Sequence, residues 1–142
     1  MRRETAAPYE RDNEFGGRGL PVSVLQQDLE FKTKGQPGEN TTLIVVATDA
    51  ALTKTQAQRV AIMAQDGMAR ALRPVHTPLD GDIVFVGATG VRTLTDKIFS
   101  VSELGSLAAD AVARAIGRGV YEAKAQSFSG ALSAWRDRFS VR

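Results

Sequence analysis

A hydroxyl-bearing residue stands between a Gly- and Pro-rich stretch and an apolar run in this chain of 142 residues. The stretch is Lys34-Gly-Gln-Pro-Gly-Glu-Asn40, and Thr41 directly follows it. If the bond between Asn40 and Thr41 is cut, the new α-amine of Thr41, with an ordinary pKa of about 7.7 to 8.0, can accept the hydroxyl proton near neutral pH. One residue then supplies both the nucleophile and its base.

The hydroxyl of Thr41 can also make this cut itself. It attacks the carbonyl of Asn40 and gives an ester that water opens, provided that the turn holds this carbonyl strained and polarised. A structural role competes with this interpretation, because β-propensity alone favours Thr at the start of a strand. The residues by themselves leave both roles open.

Two carboxylates flank a glycine in the segment His76-Thr-Pro-Leu-Asp80-Gly-Asp82. If they point towards the start of the first apolar run, Asp80 and Asp82 can hold the Thr41 ammonium or hydroxyl and tune its proton affinity. The competing interpretation is a plain Asp-Gly turn. His76 has no second His or Cys to complete a metal site, so we predict a structural role for it.

A strand and a helix are predicted directly after Thr41. The run from Leu43 to Ala47 is short and rich in β-branched residues, which predicts a strand covered on both faces. Thr53-Lys-Thr-Gln56 has the form of a capping box, and the apolar positions that follow it recur at three- and four-residue steps to about Leu72. Pro74 then ends the predicted helix.

A second strand and helix follow the acidic segment. Ile83 to Val86 is the centre of a strand predicted within Asp82 to Thr89. Ser100-Val-Ser-Glu103 is another capping box and predicts the start of a long amphipathic helix that reaches about Val120. The chain from Phe128 onwards is predicted to be a tail. The order strand, helix, strand, helix indicates an α/β domain. Because two strands are few for a sheet, we expect strands from another segment or chain to complete the sheet.

Composition narrows the class of protein. Eighteen Lys and Arg against sixteen Asp and Glu leave a formal net charge of +2, which gives little support to nucleic-acid binding. The chain has no Cys, so thiolate catalysis and Cys-ligated metal sites within it are excluded. No stretch approaches the ~20 apolar residues of a membrane span, and residues 1–10 lack the apolar core of a secretory signal. We therefore expect a cytoplasmic protein with no membrane partner.

The motifs together resemble those of the DmpA-type self-cleaving aminopeptidases, also called the P1 family peptidases, which include the nylon-oligomer hydrolases. The resemblance covers most of the chain from Asn40 to Phe139. The segments that carry it are Gly38-Glu-Asn-Thr-Thr-Leu-Ile-Val-Val-Ala-Thr-Asp49, Asp66-Gly-Met-Ala-Arg-Ala71, His76-Thr-Pro-Leu-Asp-Gly-Asp82, the helix Gly105 to Glu122 and the ending Trp135-Arg-Asp137.

This resemblance implies an α/β/β/α sandwich of the N-terminal-nucleophile-like type, related to ornithine acetyltransferase. Residues 1–40 would then be a connector that ends the pre-cleavage segment, and residues 41–142 the nucleophile-bearing domain. The implied activity is hydrolysis of a small peptide or amide through an acyl-enzyme on Thr41, after cleavage between Asn40 and Thr41. The resemblance implies no metal or organic cofactor, and it implies a homo-oligomer.

Asp80 and Asp82 match the acidic pair near the nucleophile of the nylon-oligomer hydrolases, whereas many of the aminopeptidases carry Ser at the first position. Family enzymes also have a long segment before the cleavage point that supplies oxyanion-stabilising groups, most of the sheet and one side of the pocket. Here forty residues precede Thr41, so we expect a missing upstream segment or subunit. Two alternatives stay open: an inactive, partner-binding chain without a complete active site, and a related Thr-nucleophile acyltransferase.

Overall fold

Strands and helices alternate in the computed structural model, which describes residues 9–17, 41–131 and 133–138. The predicted α/β class is confirmed. Asn40, most of the predicted connector 1–40 and the end of the chain lie outside the described residues. The elements are β1 (Leu43–Ala50), α1 (Lys54–Ala71), β2 (Ile83–Arg92), α2 (Lys97–Glu122) and α3 (Trp135–Arg138).

The strands form a parallel pair. Leu43 lies opposite Ile83, and Val45 lies opposite Phe85. Parallel strands cannot be joined by a tight turn, so the chain must cross over between them, and α1 provides this connection. Both strands therefore begin at the same edge of the sheet.

The helices cover one face of this sheet. Alternate residues of the strands, Ile44 and Val46 in β1 and Val84 and Val86 in β2, pack with the buried side chains of α1 and α2. This alternation follows from the pleat of a strand, which points successive side chains to opposite faces. The buried core residues between the layers are Val60, Ala64, Met68, Val84, Val101, Ala108 and Val112.

The opposite face of the sheet is apolar and exposed within the described part of the chain. Leu43 is 69% exposed and Val45 73%, while Ile83 and Phe85 are 40% and 53% exposed. We call these four side chains the open sheet face. The prediction that the first strand is covered on both faces is therefore not met among the described residues.

The capping box predicted at the start of α1 is confirmed. The amide of Gln56 donates to Thr53 Oγ1 over 3.3 Å, and the amide of Thr53 donates to Gln56 Oε1 over 2.9 Å. These two bonds satisfy backbone donors that have no partner within the helix. The helix ends at Ala71, where the amide of Leu72 still donates to the carbonyl of Met68 over 2.8 Å.

The start of α2 differs from the prediction. Its N-cap is Asp96, whose carboxylate accepts hydrogen bonds from the amides of Ile98 and Phe99 over 3.0 and 2.9 Å. The predicted capping box at Ser100 is wrong, because Asp96 caps equally well and stands one turn earlier. The extra turn leaves Ser102 inside the helix, where its hydroxyl donates to the carbonyl of Ile98.

The predicted tail after Phe128 contains a short helix, α3, which packs on the end of α2. The rings of Tyr121 and Trp135 lie 5.9 Å apart. The guanidinium of Arg136 lies 4.9 Å from the Tyr121 ring centre and bonds Glu122 over 3.0 Å. Aromatic and cation–π contacts of this kind hold the ending against the helix layer.

Residues 9–17 pack against α1 and α2. Glu14, with a side chain only 8% exposed, accepts two hydrogen bonds from Arg114 over 2.6 and 3.2 Å and lies 3.8 Å from Arg118. Beside this ion pair, the rings of Phe15 and Tyr121 are 6.5 Å apart. Part of the chain that precedes Thr41 is thus fixed to α2.

No helix in the described ranges is long and apolar enough to cross a membrane.

Candidate active site

The parallel pairing brings the start of β1 and the start of β2 together. Thr41 stands two residues before β1, and the segment Asp80 to Asp82 leads directly into β2. The amide of Ile83 donates to the carbonyl of Thr42 over 3.0 Å and closes the ladder at this edge. The residues predicted to act together therefore lie at one edge of the sheet.

Asp82 fixes the backbone on the C-terminal side of Thr41. Its side chain is 6% exposed, and its Oδ1 accepts a hydrogen bond from the amide of Thr42 over 2.8 Å. Its Oδ2 accepts from the amide of His76 over 3.2 Å. Hydrogen bonds to an ionised carboxylate are stronger than neutral ones, and here they join two chain segments at the edge of the sheet.

Asp80 shapes the turn before β2. Its Oδ2 accepts hydrogen bonds from the amide and from the hydroxyl of Thr77, both over 2.9 Å. The amide of Asp80 donates to the carbonyl of Thr77 over 2.9 Å, so side chain and backbone close the same turn. The turn runs from Thr77 to Asp80, with Pro78 and Leu79 at its centre, and the role of Asp80 towards Thr41 stays a prediction.

His76 contributes its backbone to the site. Its φ of 54° lies in the left-handed region, where His is found more often than most residues. This conformation accompanies the hydrogen bond from its amide to Asp82, and its Nδ1 lies 3.7 Å from Asp82 Oδ2. The structural role predicted for His76 agrees with this placement.

Thr41 itself is exposed, and Gly81 lies against its hydroxyl. A Cβ built on Gly81 would lie 2.5 Å from Thr41 Oγ1, inside van der Waals contact. Sequence reasoning passed over Gly81, although its place between the two Asp residues was a usable signal. The predicted cleavage partner, Asn40, lies outside the described residues.

The described ranges hold no cluster of three or more His, Cys, Asp or Glu side chains that could bind a metal ion. The groups at this edge are instead a hydroxyl, two carboxylates and backbone amides. A hydroxyl beside a hydrogen-bonded backbone is one of the groups that can attack a carbonyl in proteins. The structure thus shows an α/β protein in which a threonine, a glycine and two carboxylates meet at one edge of the sheet.

The chain belongs to peptidase family S58, whose model matches residues 6–131. The predicted relationship to the DmpA-type enzymes is thereby confirmed. The chain is 44% identical over 110 residues to uncharacterized aminopeptidases of Mycobacterium bovis and Mycobacterium tuberculosis, a stretch that covers 70% of this chain and 31% of each relative. It is 47% identical over 87 residues to an uncharacterized aminopeptidase of Mycobacterium leprae, covering 54% of this chain and 24% of that protein. The chain therefore spans less than a third of the length of these curated relatives, and the family places it among the peptidases.

Proposed function

We propose that this chain carries the nucleophile of an amide-bond hydrolase, an aminopeptidase or amidohydrolase, with Thr41 as the attacking residue. The observation that carries the proposal is the hydrogen bond from the amide of Thr42 to Asp82, which fixes the chain next to the exposed residue Thr41. Membership of a peptidase family supports the class of reaction.

Self-cleavage between Asn40 and Thr41 prepares the nucleophile. Thr41 Oγ1 attacks the carbonyl carbon of Asn40, the bond from this carbon to the nitrogen of Thr41 breaks, and an ester replaces the amide. The hydroxyl proton passes to this nitrogen, which becomes the free α-amine of Thr41, and water then hydrolyses the ester to a carboxylate on Asn40 and the restored hydroxyl of Thr41. The requirement is a fixed geometry at Thr41, and the anchored Thr42 supplies part of it.

Turnover then uses both groups of Thr41. Its α-amine takes the hydroxyl proton as Oγ1 attacks the substrate carbonyl, and the same proton passes to the departing amine. Water hydrolyses the resulting ester and frees the enzyme. In this proposal Asp82 acts through the backbone of Thr42, and the negative charge of Asp80 and Asp82 favours the ammonium form of Thr41.

The open sheet face supports a further part of the proposal, the completion of the fold. Four large apolar side chains in register are a surface that folded proteins normally bury. We propose that the portion of the family sequence that this chain does not span forms a second sheet on this face and completes the α/β/β/α sandwich. That portion would also supply donors for the oxyanion and one wall of the pocket, and the complete enzyme would assemble as a homo-oligomer.

The open sheet face also favours a second candidate function. A chain with such a surface can act as a partner-binding subunit without chemistry of its own. In that case Thr41→Ala leaves binding of the partner unchanged and no acyl group ever forms on the protein.

Trapping the acyl-enzyme separates these two functions. The chain, alone and together with the upstream portion of the M. tuberculosis relative, is incubated with amino-acid anilides, quenched in acid and peptide-mapped by mass spectrometry. We expect an added acyl group on the peptide that begins at Thr41, and none in Thr41→Ala. Hydrolysis that persists in Thr41→Ala, or an acyl group on another residue, would contradict the proposal.

A further inference from the structure

We propose that Gly81 is a positioning residue for the nucleophile: its missing side chain leaves the space that Thr41 Oγ1 occupies and so selects the rotamer of Thr41. The inference rests on the proposed role of Thr41 as the nucleophile. Neither the family match nor the acidic pair assigns a role to this glycine.

The overlap at Gly81 concerns the hydroxyl oxygen specifically. A Cβ on Gly81 would lie 2.5 Å from Thr41 Oγ1, but 3.4 Å from Cγ2 and 3.5 Å from the Cβ of Thr41. The two carbon distances are ordinary van der Waals contacts, whereas the distance to oxygen is not. Every residue except glycine carries a Cβ, so any substitution at this position meets the oxygen first.

Backbone conformation does not explain the glycine. The φ of Gly81 lies outside the left-handed region that L-residues avoid, in contrast to Gly90, with a φ of 75°. An alanine at position 81 therefore fits the local backbone. Space next to Thr41 is what excludes it.

The backbone on both sides of the contact is held in place. Asp80 is hydrogen-bonded to Thr77 in the turn before Gly81, and Asp82 is hydrogen-bonded to Thr42, which lies between Thr41 and β1. The ladder bond from Ile83 to Thr42 adds a third restraint. Because these hydrogen bonds oppose a shift of either backbone segment, a Cβ at position 81 is accommodated at the lowest cost by rotation of the Thr41 side chain about χ1.

Rotation of Thr41 moves the reacting atom. Threonine occupies staggered χ1 wells, and a change of well displaces Oγ1 by about 2 Å. A misplacement of about 1 Å at a reacting centre can cost roughly 10²-fold in rate. We therefore expect Gly81→Ala to slow reactions of Thr41 by at least about 10²-fold while the fold persists, because a short side chain can turn at little cost in stability.

The test compares Gly81→Ala with Gly87→Ala in the full chain. Gly87 is a matched control, since it lies in β2 and a Cβ on it meets nothing within 4 Å. Three quantities are measured: the rate of cleavage between Asn40 and Thr41 by intact mass, the urea midpoint of unfolding, and the χ1 of Thr41 from three-bond NMR couplings. Only Gly81→Ala should change the χ1 of Thr41 and slow the cleavage. The urea midpoint of Gly81→Ala should stay close to that of Gly87→Ala.

An unchanged χ1 in Gly81→Ala would overturn the inference, and so would cleavage at the rate of the control. If neither wild type nor Gly87→Ala is cut, alone or with the upstream portion of the M. tuberculosis relative, the proposed self-cleavage fails, yet the χ1 measurement still decides the role of Gly81. If Gly81→Ala lowers the urea midpoint, the double variant with Thr41→Ala should restore it, because the overlapping oxygen is gone. Additive effects of the two substitutions would count against the contact.

Discussion

Replacement of Asp82 tests whether this carboxylate holds the edge of the sheet beside Thr41. Asp82→Ala removes the acceptor of the amides of Thr42 and His76, which bond to it over 2.8 and 3.2 Å. A part-buried donor left without an acceptor costs about 1 to 3 kcal/mol, and a more exposed one costs less because water replaces the partner. We expect a total loss of about 2 to 4 kcal/mol in the free energy of unfolding.

Asp82→Asn should cost less than Asp82→Ala. The amide side chain keeps one oxygen that can accept from Thr42, while its NH₂ group cannot accept from His76. With a urea dependence of roughly 2 kcal/mol per molar for a small domain, the alanine variant should lower the unfolding midpoint by about 1 to 2 M. The unfolding midpoint of Asp82→Asn should lie between those of Asp82→Ala and the wild type.

Asp66→Ala is the control for these variants, because Asp66 is exposed on α1 and such surface changes stay within about 0.5 kcal/mol. Urea unfolding followed by circular dichroism gives the midpoints of the three variants and of the wild type. Equal midpoints for Asp82→Ala and Asp66→Ala would refute the reasoning, because the two hydrogen bonds would then contribute nothing to the folded state.

Four further substitutions test the helix layer and the segment 9–17 that packs on it, by thermal or urea unfolding. Thr53→Ala removes the capping box of α1 and should cost about 1 kcal/mol. Gly67→Ala should cost about 1 to 3 kcal/mol by overpacking where α1 meets α2, whereas Gly119→Ala, with open space around its Cβ, should stabilise by about 0.5 to 1 kcal/mol. The Arg114 hydrogen bond lowers the pKa of Glu14, so the stabilisation from this pair is present above the unfolded-state pKa of about 4.3 and is lost as pH falls through the lower folded pKa. Glu14→Gln should therefore be less stable than wild type at neutral pH and approach it in acid.

Each of these expectations has an opposing outcome. Equal stability of Thr53→Ala and wild type would show that the cap is not used in solution. An unchanged stability of Gly67→Ala would mean that α1 and α2 pack less closely than the structure shows. A stability gap between Glu14→Gln and wild type that stays constant down to the acid limit would contradict a lowered pKa for Glu14.

Local signals predicted the elements that position the site. The β-branched run after Thr41 specified β1, and the reciprocal pattern of Thr53 and Gln56 specified the start of α1. The start of α2 was missed because Asp96 and Ser100 both precede good helical sequence, and a single sequence does not rank two competent caps. The helix begins directly after Asp96, the earlier of the two caps, because the turn between Asp96 and Ser100 is itself helical.

The open sheet face was beyond sequence reasoning for a physical reason. Leu43 and Val45 are as apolar as Ile44 and Val46, so periodicity cannot tell which face the helices of this chain cover. The hydrogen bond from Thr42 to Asp82 was also out of reach, because it spans forty positions along the chain. The sequence suggested that Asp82 could point towards the start of the first strand, but it did not indicate the backbone amide that Asp82 binds.

The most direct test of the central claim is the intact mass of the purified chain, with Thr41→Ala as its control. The proposal predicts two pieces, one ending at Asn40 and one beginning at Thr41, in the wild type and a single uncut chain in the variant. The sample is examined alone and together with the upstream portion of the M. tuberculosis relative. A wild-type chain that stays uncut under both conditions, or a Thr41→Ala chain that is cut at the same bond, would contradict Thr41 as a self-processing nucleophile.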